Sequence, residues 1–272
     1  MEKPKVRKPK KFTDQIKILL YGMTGVGKTY LAATVADQPD VFGKVLMLMI
    51  DPGDLTISDP NKFNHDNIDV ADVRTIAQLE KWNDWLETEN VKTKEYGTVI
   101  IEGASDLSEL ALYETLERAH KADSKRNRDS PDIAHYKEQQ IIAGRGVRYF
   151  RDLPMHVIWT ALEQEKKDEK NGKVFIRPLV PGQMVNSLGA YFDFIGHLSV
   201  APYKEGVGST RLLRMQPTDL IQAKDRTNHL DEVIEDPTMP LVLEMIKNAD
   251  TAGLPPRVDH RVFIKRAQIA TK

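Results

Sequence analysis

GMTGVGKT, residues 22–29, follows directly on the apolar run IKILLY, residues 16–21, and opens the helix-like stretch TYLAATVAD. A short, nearly continuous apolar run reads as a strand buried on both faces of a parallel sheet. The loop satisfies G-x-x-x-x-G-K-[ST] in full through Gly22, Gly27, Lys28 and Thr29. Strand, loop and helix in that order are the setting in which this motif cradles phosphate. Its glycines, with Gly25 among them, let the backbone wrap so that several N–H groups point at phosphate oxygens. The whole span Gly22, Met23, Thr24, Gly25, Val26, Gly27, Lys28, Thr29 and Tyr30 is therefore read as nucleotide contact. The Lys28 ammonium reaches the β- and γ-phosphates, and the Thr29 hydroxyl is a ligand for Mg²⁺. The expected ligands are ATP and Mg²⁺.

Outward from the loop, apolar strands alternate with helical patterns. VLMLMID (45–51), TVIIE (98–102) and HVIWTA (156–161) read as further strands. Helices are expected from Val73 to Thr88, with Ile76, Leu79, Trp82 and Leu86 on one face, from Asp106 to His120, and from Ala134 to Asp152. This alternation predicts an α/β fold with a mostly parallel central sheet flanked by helices. The last third differs. KVFIRP is a short extended piece after the turn KNGK, and HLSVAPY and STRLLRMQ flank KEGVG as a hairpin. MPLVLEMIKNA reads as a final short helix with proline near its start. Residues 1–12 are Lys/Arg-rich with little to bury and read as a disordered basic arm, 13–250 as the core, and 251–272 as a basic tail.

Composition narrows the chemistry. Among 272 residues there is no cysteine, which excludes disulfides and thiolate catalysis. The net charge is −1, so any nucleic-acid contact comes from a local basic patch. The apolar runs are too short to span a bilayer and no secretory signal pattern is present, which makes the cytoplasm the simplest compartment and a membrane partner unexpected. Seven scattered histidines show no zinc spacing. Trp82, Trp85 and Trp159 sit in apolar patterns and are expected in the core.

A phosphate loop needs an acidic residue at the end of a neighbouring strand to hold the metal. TVIIE supplies Glu102 where an aspartate usually stands. Asp106 is a weaker substitute past the strand. Asp51 and Asp54 end one strand, and Thr160 and Glu163 end another. All lie toward the carboxyl ends of strands, where sites of parallel α/β sheets form. Position alone leaves the water-orienting base open among Asp51, Asp54, Thr160 and Glu163; the expectation taken forward is Glu163 or Asp54.

GMTGVGKT, VIIEGASDL, VIWTALEQEKKD, RPLVPGQMVNSLGAYFDFIGHL and IQAKDR occur in that order between about Ile16 and Asn248. The series resembles the phage-encoded RecA-like ATPases of the AAA-family nucleotide-binding type, whose characterised members are single-strand annealing recombinases. The resemblance implies a RecA-like P-loop NTPase core, head-to-tail homo-oligomers, hydrolysis at subunit interfaces, and single-stranded DNA as partner, in a host bacterial cytoplasm and beside a single-strand binding protein. It also implies that Lys224 and Arg226, a K-x-R element, act in a neighbour's site, where such cations are worth on the order of 10³–10⁵ in rate. Glu102 in place of aspartate, and IDPGD where a catalytic glutamate is usual, point to slow hydrolysis.

The resemblance places DNA on two basic stretches. One carries Arg118, Lys121, Lys125, Arg126 and Arg128; the other carries Lys166, Lys167, Lys170, Lys173 and Arg177. Such side chains give sequence-independent, salt-sensitive affinity. Tyr136 and Phe175 are the nearest stacking aromatics. The function expected is ATP-controlled single-strand binding with annealing or strand pairing in recombination. The alternatives are a nucleotide-switched assembly protein with little turnover, and a helicase or helicase loader.

Overall fold

The computed structural model describes residues 15–51, 54–59, 63–169, 172–180, 184–202, 209–228 and 230–251. The expected arm at 1–12 and the tail beyond Thr251 lie outside these residues. In chain order the elements are β1 (Lys17–Gly22), α1 (Lys28–Ala33), α2 (Pro39–Phe42), β2 (Val45–Met49), β3 (Ile68–Asp72), α3 (Ile76–Thr93), β4 (Thr98–Glu102), α4 (Ala104–Ala122), α5 (Ile133–Asp152), β5 (His156–Lys167), β6 (Val174–Pro178), α6 (Met184–Tyr191), β7 (Phe194–Val200), β8 (Arg211–Arg214), β9 (Lys224–Asp225), β10 (Val233–Glu235) and α7 (Met239–Thr251).

The strands form a sheet in the order β10-β8-β7-β1-β5-β4-β2-β3, with β6 paired to β5 and β9 to β7. The pairs from β7 through β1, β5, β4 and β2 to β3 are parallel; β8 and β10 extend the sheet antiparallel. β5 therefore stands between the strand that feeds the phosphate loop and the strand that ends on Glu102, in a mixed α/β fold with a mostly parallel central sheet, as expected.

The core is double. Because side chains alternate along a strand, Leu19, Tyr21, Val99, Ile101, Val157 and Trp159 enter one cluster with α3, α4, α5 and α6. Ile18, Leu20, Met47, Ile100 and Ile158 enter the other with α1, α2 and α7. The same alternation puts Glu102 and Thr160 on the α1 face, and Glu163 on the opposite face.

Local chemistry explains where the elements start and stop. α3 begins at Ile76, three residues later than expected, because the Thr75 hydroxyl caps it by accepting from Gln78 N at 3.2 Å. It runs past Thr88 because Asn90 is buried and closes a loop with Tyr96 N and O. α5 starts behind a reciprocal cap between Asp132 and His135. β2 ends at Met49, short of Asp51, because the N–H groups of Ile50 and Asp51 both turn to the Glu102 carbonyl. β5 outruns HVIWTA by six residues, from Leu162 to Lys167, since β6 pairs with its far half. Trp159 is fully buried, whereas Trp82 and Trp85 are partly buried and pack against the core in an edge-on chain with Tyr96.

At the amino edge of the sheet, His156 accepts from Ile16 N at 3.2 Å through Nδ1. Burial first, then the charges of Lys17 and Lys247, lower its pKa to about 4. The ring is neutral in the native state but can charge in the unfolded chain at its ordinary 6.5. Its contribution is therefore whole above that value and is lost as pH falls toward the folded value. His156→Asn, which keeps an acceptor for Ile16 N, should flatten the decline in stability between about pH 6.5 and about pH 4 relative to the parent, as measured by urea denaturation.

Candidate functional site

The loop leaves β1 at a point of close approach. A Cβ on Gly22 would lie 2.1 Å from the Leu198 carbonyl oxygen of β7, so only glycine lets β1 stay paired there. Gly27 takes φ 99°, a left-handed conformation that brings the chain into α1. Met23, Thr24 and Gly25 are exposed at the tip, Val26 is buried and Tyr30 is half-buried.

Lys28 is buried, and its ammonium donates to the carbonyls of Gly22 at 3.1 Å and Met23 at 2.8 Å. Burial lowers its pKa; the carboxylates of Glu102, Glu163 and Asp51 act in the other direction. Those three residues, at the end of β4, within β5 and just past β2, are thus electrostatic neighbours of one lysine.

Glu102 faces α1, as strand alternation requires. The Thr29 hydroxyl donates to its Oε1 at 2.9 Å, while Oε2 is buried without a hydrogen-bond partner among the described residues. Burial raises the Glu102 pKa; the Thr29 and Thr160 hydroxyls and Lys28 oppose that, and Asp51 adds to it. A hydroxyl and an unpartnered carboxylate oxygen are oxygen donors of the kind Mg²⁺ accepts. Mg²⁺ usually takes one or two carboxylates with phosphate and keeps several waters. Among the described residues no cluster of three or more acidic or histidine side chains could hold a metal alone, so these donors suit a metal shared with phosphate.

Glu163 lies across the sheet, and its Oε2 sits 2.9 Å from His197 Nε2. Both side chains are largely buried, and the Tyr21 ring lies 5.0 Å from the imidazole. Burial and the Glu163 charge raise the Tyr21 pKa, and its hydroxyl donates to Gln222 O at 2.6 Å. His197 was not legible in the sequence: one histidine in HLSVAPY carries no spacing signal, and only the β1–β7 register sets it opposite Tyr21. Asp51 is exposed beside Glu102, and Asp106 is half-buried with its pKa raised by burial and then by Asp51. Asp54 opens a 3-10 turn, Asp54–Ile57, and its side chain lies outside the described residues.

Lys224 and Arg226 are not in this group. β9 pairs with the start of β7, opposite Phe194 and Ile195, at the other edge of the sheet from the loop. Lys224 donates to Gly189 O at 2.5 Å and Phe192 O at 2.7 Å, and Arg226 meets Asp193 at 2.5 Å. In the first basic stretch, Arg118 pairs with Glu114 and approaches Glu138, and Arg128 pairs with Glu117. Lys121, Lys125, Arg126 and Tyr136 are exposed beside them. In the second, Lys166 and Lys167 are exposed on β5 opposite Phe175 and Val174, and Lys173 lies 3.9 Å from Asp219. Arg177 is half-buried, and Lys170 lies outside the described residues.

A glycine loop on a buried parallel strand, backed by a buried carboxylate two strands away, defines a P-loop NTPase core. A family model described as AAA domain matches residues 14–227, and the chain belongs to that family. The solved structure of the flagellar accessory protein FlaH from Methanocaldococcus jannaschii is similar over 81% of this chain and 85% of its own, with 11% identity and a TM-score of 0.44. No curated protein sequence matches the chain. Among the described residues no helix is long and apolar enough to cross a membrane.

A buried Glu102 with a raised pKa carries a stability penalty when ionised. That penalty is whole above the folded value and vanishes as pH falls to the ordinary glutamate value of 4.5. In chelator at neutral pH, Glu102→Gln should melt higher than the parent, and the gap should close as the pH approaches that of free glutamate. Calorimetry across the pH range reads both.

Proposed function

We propose that the protein binds ATP with Mg²⁺ at the phosphate loop, hydrolyses it, and couples turnover to single-stranded DNA in annealing or strand pairing during recombination. The observation that carries the nucleotide reading is the 2.9 Å contact of Thr29 with Glu102, whose second oxygen is buried and unpartnered beside Lys28. In this reading Lys28 leaves the loop carbonyls for the β- and γ-phosphates. Thr29 and Glu102 hold the metal, which neutralises charge on the phosphate oxygens. Glu163 orients water, with Asp54 as the alternative. Lys224 and Arg226 stand across the sheet from their own loop, which supports a role in a neighbour's site of a head-to-tail assembly.

The DNA reading draws support from β5. One continuous strand runs from Thr160 through Glu163 to the exposed Lys166 and Lys167, so a ligand on the β5–β6 hairpin would pull on the strand that carries Glu163. The stretch from Arg118 to Arg128, at the end of α4 and in the connection after it, is the weaker candidate, because Arg118 and Arg128 already have acidic partners. The Glu163–His197 contact favours a second reading, in which ATP switches assembly with little turnover because the base is held by an imidazole.

Steady-state hydrolysis with and without single-stranded DNA, beside Lys28→Ala, separates these readings. Stimulation by single strands, with turnover about 10²–10³-fold lower in Lys28→Ala, is expected. Tight ATP binding without turnover would establish the switch, and turnover indifferent to DNA would remove the DNA partner. Replacing Lys166 and Lys167 by alanine should weaken DNA binding and flatten its salt slope by about two.

A further inference from the structure

The phosphate loop has two flanks of opposite character. On the β4 side stand the carboxylates that act on Lys28, where the metal and the terminal phosphate belong. On the β7–β8 side stands a cation. Leu213 and Met215 enter the α1-side core, so alternation sends Arg211, opposite Val200, onto the same face. The Arg211 side chain reaches the loop, with Nε donating to Val26 O at 3.1 Å and its guanidinium carbon 5.4 Å from the centroid of the Tyr30 ring. Tyr30 is braced in turn, edge-on, by Phe63 at 5.2 Å.

This placement is specified from several directions. The Arg211 backbone donates to Asp236 Oδ1 at 3.0 Å and accepts from Asp236 N at 2.8 Å. A Cβ on Gly27 would lie 2.6 Å from Arg211 Nε, so the loop glycine also makes room for the arginine. The side chain is exposed, and its two terminal nitrogens have no hydrogen-bond partner among the described residues. A triphosphate seated with its γ end toward Glu102 must send its ribose and base out on the flank where Arg211 lies.

We infer, on the nucleotide reading above, that Arg211 and Tyr30 form the nucleoside wall of the site. The base stacks on the face of the guanidinium turned away from Tyr30, giving a Tyr30–Arg211–base sandwich. A planar, delocalised cation can be stacked on both sides, which a lysine ammonium cannot. The Val26 carbonyl holds the plane in register with the loop. The ligand class is therefore a nucleoside triphosphate recognised at its base as well as its phosphates.

The test is calorimetric titration of the full chain with MgATP and with magnesium tripolyphosphate, which has the phosphates and no nucleoside. Arg211→Ala should weaken ATP by about 10-fold, the scale of one stacked base, and leave tripolyphosphate binding unchanged. Arg211→Lys should fail to restore ATP. An equal loss for both ligands in Arg211→Ala would show that the arginine serves the phosphates or the loop shape and would overturn the inference. So would unchanged ATP binding, or full rescue by lysine. Lys28→Ala should weaken both ligands. If the parent binds neither, the nucleotide reading itself fails and the inference falls with it. If the parent binds both and Arg211→Ala has no effect, only the inference falls. The melting temperatures of the Arg211 variants confirm folding.

Discussion

The site depends on one carboxylate that the fold keeps out of water. Glu102 ends the central strand β4, is buried, and accepts from the Thr29 hydroxyl at 2.9 Å. Leaving its second oxygen unpartnered costs free energy, as any buried polar group without a partner does. The fold tolerates that cost because β4 is locked between β2 and β5, and because Lys28 and the Thr29 and Thr160 hydroxyls offset part of the charge. Strain of this kind, held by rigid neighbours, is typical where a ligand is meant to supply what is missing.

The two faces of the sheet divide the labour. The α1 face holds the loop, Thr29, Glu102 and Arg211, so the hydroxyl, the buried carboxylate and the guanidinium nearest the loop all come from one side. The opposite face holds Tyr21, His197 and Glu163, a compact group in which the imidazole meets the carboxylate at 2.9 Å. β5 belongs to both: Thr160 points one way and Glu163, three residues on, the other. Its extension into a lysine-bearing hairpin makes it the element through which the two faces and the outer surface are mechanically continuous.

Much of this was legible beforehand because it is local. GMTGVGKT after IKILLY announces its strand, its loop and its helix, and TVIIE announces a buried strand ending in an acid. β3, IDVAD, carries no such signal: it is an edge strand, half exposed, without the apolar run that marks its neighbours. Nor does α6, MVNSLGAY; eight residues are too short for helical periodicity to stand out. Arg211 read only as part of a hairpin strand, and His197 as one histidine among seven.

What the sequence determined by itself is the chemistry carried by contiguous residues: a phosphate loop, an α/β alternation around it, and a glutamate where an aspartate is usual. Each piece follows from backbone geometry and side-chain period within a window of roughly 11–18 residues, and the alternation from the order of the pieces. Only the tertiary structure decided which distant groups share a space. Register set Tyr21 between Ala161 and His197, put Lys224 and Arg226 at the far edge of the sheet from the loop, and laid Arg211 on Gly27 from 184 residues downstream. The physical reason is that strand pairing and face are set by burial of the whole sheet between two helical layers. A one-residue slip of any one of these strands would move its side chains to the other side.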